Sequence, residues 1–246
     1  MSEKKFSSYL LYAIGEIILV AIGILIAVNV NDWNKEKEQD RLKTELTREM
    51  IAELNYNIDR IKFLDTDTSK MPYPIRFADS LFMERRNYFE GGLDTNEIRK
   101  LFVGPIFRYN EFNMEYDVFE QMKQTNVINR FDKKVKTAIK NYYKLLEREE
   151  GYNRVTLEPI QNAYAKTLYG YQRLRRDYYA DSLTYFSKNA WVFDPDSRDY
   201  LDLESYVDVI AGSVHSSRAR MLNILENSEE LKLILQEELE SEDLDK

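Results

Sequence analysis

The sequence has no cysteine, one histidine, five prolines and eight glycines in 246 residues. Without thiols there are no disulfides, no thiolate nucleophiles and no cysteine-ligated zinc. The single His215 cannot assemble the usual histidine-rich transition-metal set. The few glycines are scattered, so no glycine-rich loop cradles a phosphate. The chain is rich in Lys, Glu, Leu, Arg and Tyr, which disfavours a turn-rich β fold and predicts a mainly α chain. The net charge is −8, which argues against nucleic acid, or an anionic membrane surface, as a broad electrostatic partner.

One long hydrophobic run is present. From Tyr9 to Val28 the chain is apolar except for Glu16. Twenty helical residues at about 1.5 Å rise cross roughly 30 Å of hydrocarbon. The run is longer than a signal-peptide core, and Ala27-Val28-Asn29 matches a cleavage site poorly, so the expectation is an uncleaved transmembrane helix over 9–30. Residues 1–8 form a short tail before it. Lys4 and Lys5 flank one end, and Lys35, Lys37, Arg41 and Lys43 the other. Counting basic residues alone would put the C-terminal part inside. An N-terminal anchor with so short a tail favours export, giving a single-pass inner-membrane protein with its C-terminal part in the periplasm.

At 100° per residue, Tyr12, Glu16, Val20, Gly23, Ala27 and Asn31 fall on one face of this helix. The opposite face is Ile, Leu and Val. Gly23 and Ala27 form a small-xxx-small pair that lets a second helix approach closely. A carboxyl in hydrocarbon is costly, so this face is expected to meet another helix: a second copy or a partner membrane protein. Two other readings stay open, with Glu16 snorkelling toward headgroups or lining a narrow oligomeric pore.

The pattern from Tyr9 to Asn34, "YLLYAIGEIILVAIGILIAVNVNDWN", resembles the hallmark of an uncharacterised family of single-pass membrane proteins from the Bacteroidetes. So do Tyr116 to Tyr143 and Ile224 to Leu239. The resemblance covers a third of the chain and implies a helical extramembrane domain on one anchor. It brings no activity and no catalytic residue. The Lys-rich "NKEKEQDR" after the anchor departs from the family's text, which has a Gln or Asn, paired acids and an Arg there.

Residues 31–64 lack Gly and Pro and read as a long helix beside the membrane, either continuous with the anchor or set off by a bend near Asn31, with Leu46, Met50, Leu54, Ile58 and Ile61 on one stripe. The expected helical bundle spans 65–240. Its predicted helices run from Ile75 to Tyr88, from Asp94 or Thr95 over a short stretch with Glu97 closing a capping box, from Glu111 to Gln124, from Asn129 to Gly151, and from Pro159 to Asn189. Trp191 to Asp202 reads as a linker. A last helix starts near Leu203, carrying a seam of Leu203, Val207, Ile210, Val214, Met221 and Leu225 with Ser217 as its polar member. Asn227 and Glu230 resemble a capping box, so a kink or a new short helix is expected there, and 241–246 as an acidic frayed tail.

Chemistry-bearing clusters are sparse. His215 sits beside Ser213, Ser216 and Ser217, yet neighbours on a helix point apart and no nucleophile elbow frames a serine. Asp194, Asp196, Asp199 and Asp202 miss the EF-hand spacing and read as an acidic linker with Asx turns. The Tyr/Arg mixture from Tyr169 to Phe186 fits tyrosines lining a core, with an anionic ligand as the alternative. No catalytic, cofactor or metal residue is assigned, and no small-molecule substrate. The expected function is a non-enzymatic interaction or scaffold component, oligomeric through its transmembrane helix. The alternatives are a signal-transmitting subunit or a pore built on Glu16.

Overall fold

The computed structural model describes residues 3–67, 74–101, 114–181 and 184–244, with side chains given throughout except for 3–14, 154 and 242–244. Helix α1 runs unbroken over Glu3–Thr66, followed by α2 (Ile75–Asn87), α3 (Thr95–Leu101), α4 (Asp117–Gln124), α5 (Lys133–Ala180), the single turn α6 (Tyr185–Lys188) and α7 (Arg198–Leu244). There is no strand among the described residues. The chain is mainly α, with one long apolar N-terminal helix leading into a helical bundle.

Three rods make the bundle. α5 and α7, with 48 and 47 residues, are each about 70 Å long. They run antiparallel: Tyr142 meets Ser228 (Oη to Oγ, 2.9 Å), Glu149 meets Arg220 and Tyr164 meets Tyr206. Gly170 lets α5 come close to α7 here, because a Cβ on it would lie 3.3 Å from the Asp199 carboxylate. The third rod is the upper half of α1 continued by α2. Lys43 pairs with Glu238 and Asp65 with Arg218, while Arg86 on α2 reaches Asp208, so both helices run antiparallel to α7.

The sequence pattern explains why these helices wrap one another. On α7, Leu203, Val207, Ile210, Val214, Ser217, Met221, Ile224, Ser228, Leu231 and Leu235 are all buried, and they alternate steps of four and three. On α1, Lys43, Thr47, Met50, Leu54, Asn57 and Ile61 follow the same alternation and are buried too. A 3.5-residue repeat keeps each seam facing its neighbour in a left-handed coiled coil.

Several expected boundaries give way. The helix expected to start at Asn129 instead has a 3₁₀ turn, Val127–Arg130, before it, and starts at Lys133 with Asp132 as its cap, accepting from Val135 N at 2.7 Å. It passes through Gly151 and Pro159 and ends at Ala180 rather than Asn189. Pro159 removes the bond to the Val155 carbonyl, but Val155 lies on the solvent face, where water replaces the lost donor. Gly151 costs about 1 kcal/mol relative to alanine, which burial of Leu145, Leu146 and Ile160 on either side outweighs.

The kink expected at Asn227 is absent. The Asn227 side chain donates back to the Asn223 carbonyl (2.8 Å) and α7 continues as a helix to Leu244, past the start of the expected tail. The helix expected from Glu111 is helical only from Asp117; 111–113 lie outside the described residues. Asp94 and Glu97 do form the reciprocal capping box, at 2.8 Å in both directions. Gly92, at φ 81°, supplies the turn before it. Asn126, at φ 62°, makes the left-handed turn that closes α4.

Candidate functional site: the unpartnered face of α1 and its seat in the bundle

From Gly15 to Glu38 every α1 side chain is exposed, whereas from Leu42 onward the helix is packed. Among the described residues this is the one helix long and apolar enough to cross a membrane, and none of its apolar stretch is buried in the bundle. Glu16, Val20, Gly23, Ala27 and Asn31 all lie in this unpacked region. A Cβ placed on Gly23 would meet nothing within 4 Å. Tyr12 is helical, but its side chain lies outside those described.

Because α1 is continuous, its two halves share one phase. At about 100° per residue, Glu16, Val20, Gly23 and Ala27 lie on the side of α1 opposite Lys43, Met50, Leu54 and Ile61. The small and polar stripe therefore faces away from the chain's own bundle. Trp33 marks the end of the apolar stretch, exposed, with Lys37 Nζ 4.1 Å from its ring centroid. Tryptophan and lysine in this relation suit a membrane–water interface.

Polar groups of α1 seat it in the bundle. Asn57 is fully buried: its amide donates to the Glu115 carbonyl and its oxygen accepts from Glu115 N, both at 2.9 Å. One turn away Glu53 accepts from Tyr143 Oη (2.6 Å) on α5 and from Val118 N (3.0 Å) on α4. Tyr143 also stacks on Phe119 with ring centroids 4.3 Å apart. Two α1 side chains thus hold the segment that leads into α4.

Burial pushes the Glu53 carboxyl above the usual carboxylate range; the bonds from Tyr143 and Val118 oppose this, and nearby Asp117 and Glu115 add to it. Such a group favours the fold most when protonated. Its contribution is present below the ordinary glutamate value of 4.5 and is lost as pH rises through the higher folded value. Glu53→Gln keeps both contacts, since the amide accepts from Val118 N and the Tyr143 hydroxyl can switch to accepting. The variant is expected to be more stable than wild type at neutral pH, with the difference shrinking as pH falls toward 4.5. Thermal unfolding across pH checks this; a pH-independent difference would refute it.

A second polar seat lies where α1 ends. Asp65 and Asp79 are buried and share Arg218 of α7, whose Nε is 2.8 Å from Asp65 Oδ1 and whose Nη1 is 3.2 Å from Asp79 Oδ2. Arg76 Nη2 lies 3.0 Å from the second Asp65 oxygen, and His215 Nδ1 3.1 Å from the second Asp79 oxygen. These carboxylates hold the Arg218 guanidinium above its ordinary value, its bond with Asp65 contributing most. A third buried charge, Glu149, sits between Arg148 and Arg220.

The chain matches no family model, no curated protein and no solved structure.

The clusters considered in the sequence take plain structural places. His215 turns to Asp79 on α2, while Ser216 and Ser217 accept from Arg220. Asp194 Oδ1 accepts from Asp196 N at 3.1 Å, an Asx turn, but the expected linker is cut short: α7 starts at Arg198 rather than Leu203, so Asp199 and Asp202 are helical and Asp202 pairs with Arg198 one turn earlier. Tyr171 and Tyr185 are buried, and Arg173 and Arg176 approach Asp177. What the sequence did not reveal were the interior polar groups. Glu53, Asn57 and Asp65 all fall on the buried stripe of α1, and that spacing was a signal of their burial but not of their partners.

Proposed function

We propose that this chain is a non-enzymatic, membrane-anchored scaffold, held in a bilayer by residues 9–30 and self-associating through the Glu16–Val20–Gly23–Ala27–Asn31 face. The reading is supported by the continuity of α1: no side chain from Gly15 to Glu38 packs on the bundle, and at about 100° per residue the stripe falls opposite the helix's own buried seam. A carboxyl and an amide at these positions are costly in hydrocarbon unless they meet polar partners, and a second α1 supplies identical ones. The bundle lies in the periplasm, and the chain belongs with the Bacteroidetes single-pass family that its N-terminal pattern resembles.

A native cysteine-free chain makes the test direct. Single cysteines from Ile17 to Asn31 should cross-link most strongly at Val20, Gly23 and Ala27, with a 3.5-residue period. A flat profile would end the oligomer reading. Glu16→Leu should weaken association by about tenfold, the effect of 1–2 kcal/mol for a polar contact between membrane helices. In the same panel, cysteines in the bundle should react in intact cells with a maleimide that cannot cross membranes; protection would reverse the orientation.

The unbroken α1 also favours a second reading, a signal-transmitting subunit. A rigid helix that links the apolar segment to the buried seats at Glu53, Asn57 and Asp65 carries a rotation or shift from one to the other.

A further inference from the structure

The chain's acidic excess is not evenly spread. Between residues 121 and 140 there are six basic side chains, Lys123, Arg130, Lys133, Lys134, Lys136 and Lys140, and one acid, Asp132, which is engaged as a helix cap. This stretch turns the corner from α4 into α5, so the fold gathers its charges at one end of the bundle. The end is fixed by two contacts with α1: Arg130 pairs with Asp40, and Lys43 Nζ lies 4.8 Å from the centroid of the Phe131 ring. Lys133, Lys134 and Lys140 are exposed.

We infer that this basic corner docks on the anionic phospholipid headgroups of the bilayer that holds α1. The inference rests on the anchor reading above. Asp40 lies nine residues beyond Asn31, about 13 Å along the helix. Headgroups extend roughly 5–7 Å outside the hydrocarbon, which leaves a gap comparable to the reach of a lysine side chain. The gap is also close to the ~8 Å screening length at physiological salt. Transmembrane helices tilt by about 20° on average, which lowers one flank of the bundle further.

The flank that lowers is set by charge. On α7 the same level carries exposed Glu237 and Glu240, beside the Glu238 that pairs with Lys43. Anionic headgroups repel that side and attract the α4–α5 corner. Lys123 has Glu120 beside it and Arg130 has Asp40, so the attraction comes chiefly from the α5 lysines.

The test uses the full-length protein in lipid nanodiscs, with a donor dye on a single cysteine (Thr125→Cys) and an acceptor on lipid headgroups. Discs are neutral phosphatidylcholine alone, or contain about 30% phosphatidylglycerol. Energy transfer should rise by half or more in anionic discs and return to the neutral value at about 0.5 M salt. It should also return to it when Lys133, Lys134, Lys136 and Lys140 are all replaced by Gln. A donor on Tyr169→Cys, far along α5, should not respond. Equal transfer in both discs, or a rise that survives salt and the four substitutions, overturns the docking surface. Failure of the protein to enter discs at all would instead remove the anchor, and the inference with it.

Discussion

Arg218→Ala is expected to lower the unfolding free energy by about 3–5 kcal/mol, the cost of stranding buried carboxylates without their counter-ion. Asp65 and Asp79 are 4% and 8% exposed at the side chain, and both lean on this one guanidinium. Arg76 and His215 remain, but they are 59% and 63% exposed and each reaches only one oxygen of one acid. For a chain of this size the loss corresponds to a drop in melting temperature on the order of 10 °C. Circular dichroism of the full chain in mild detergent reads it. Arg218→Lys should fall between, because an ammonium cannot fork across two carboxylates. A melting temperature within about 2 °C of wild type for the alanine variant would show that water already solvates the pair.

Asn57→Ala should act locally. Asn57 makes two backbone bonds to Glu115, and removing them costs about 2–3 kcal/mol once the loss of satisfied partners is included. That cost falls on the segment entering α4, which α1 otherwise holds through Glu53 and the buried Val118 and Met122. Amide hydrogen exchange in 115–124 should accelerate roughly 30- to 150-fold, while the α7 seam from Leu203 to Leu235 keeps its protection. Equal acceleration in both would mean that the bundle opens as one unit.

The apolar seams were legible because burial there follows composition. Leu46, Met50, Leu54, Ile58 and Ile61 on α1, and Leu203 through Met221 on α7, were expected inside and are inside, whereas Leu225 is only partly buried and Ile224 takes its place in the seam. The capping box at Asp94 was legible because its chemistry is complete within four residues. The helix ends at Gly151, Pro159 and Asn227 were not, because each is a weak local preference overridden by long-range packing along α5 and α7. The ionic seats escaped for a related reason. Asp65 and Asp79 are fourteen residues apart, and the arginine that joins them comes from a helix more than a hundred positions later, so spacing along the chain holds no trace of the triad. For the candidate face, sequence placed Glu16, Gly23 and Ala27 on one side; relating that side to the buried seam required knowing that α1 is one unbroken helix.

The order of the helices along the chain constrains how the molecule is made. α7 is the element shared by α1, α2 and α5, and its 47 residues come after all of them in the chain. During synthesis the first helix has left the ribosome long before its closing partner exists, and α5 waits with a half-built interior exposed to solvent. The shared interior therefore closes only once α7 has emerged, and a premature stop anywhere before Arg198 leaves α1, α2 and α5 without the helix they have in common.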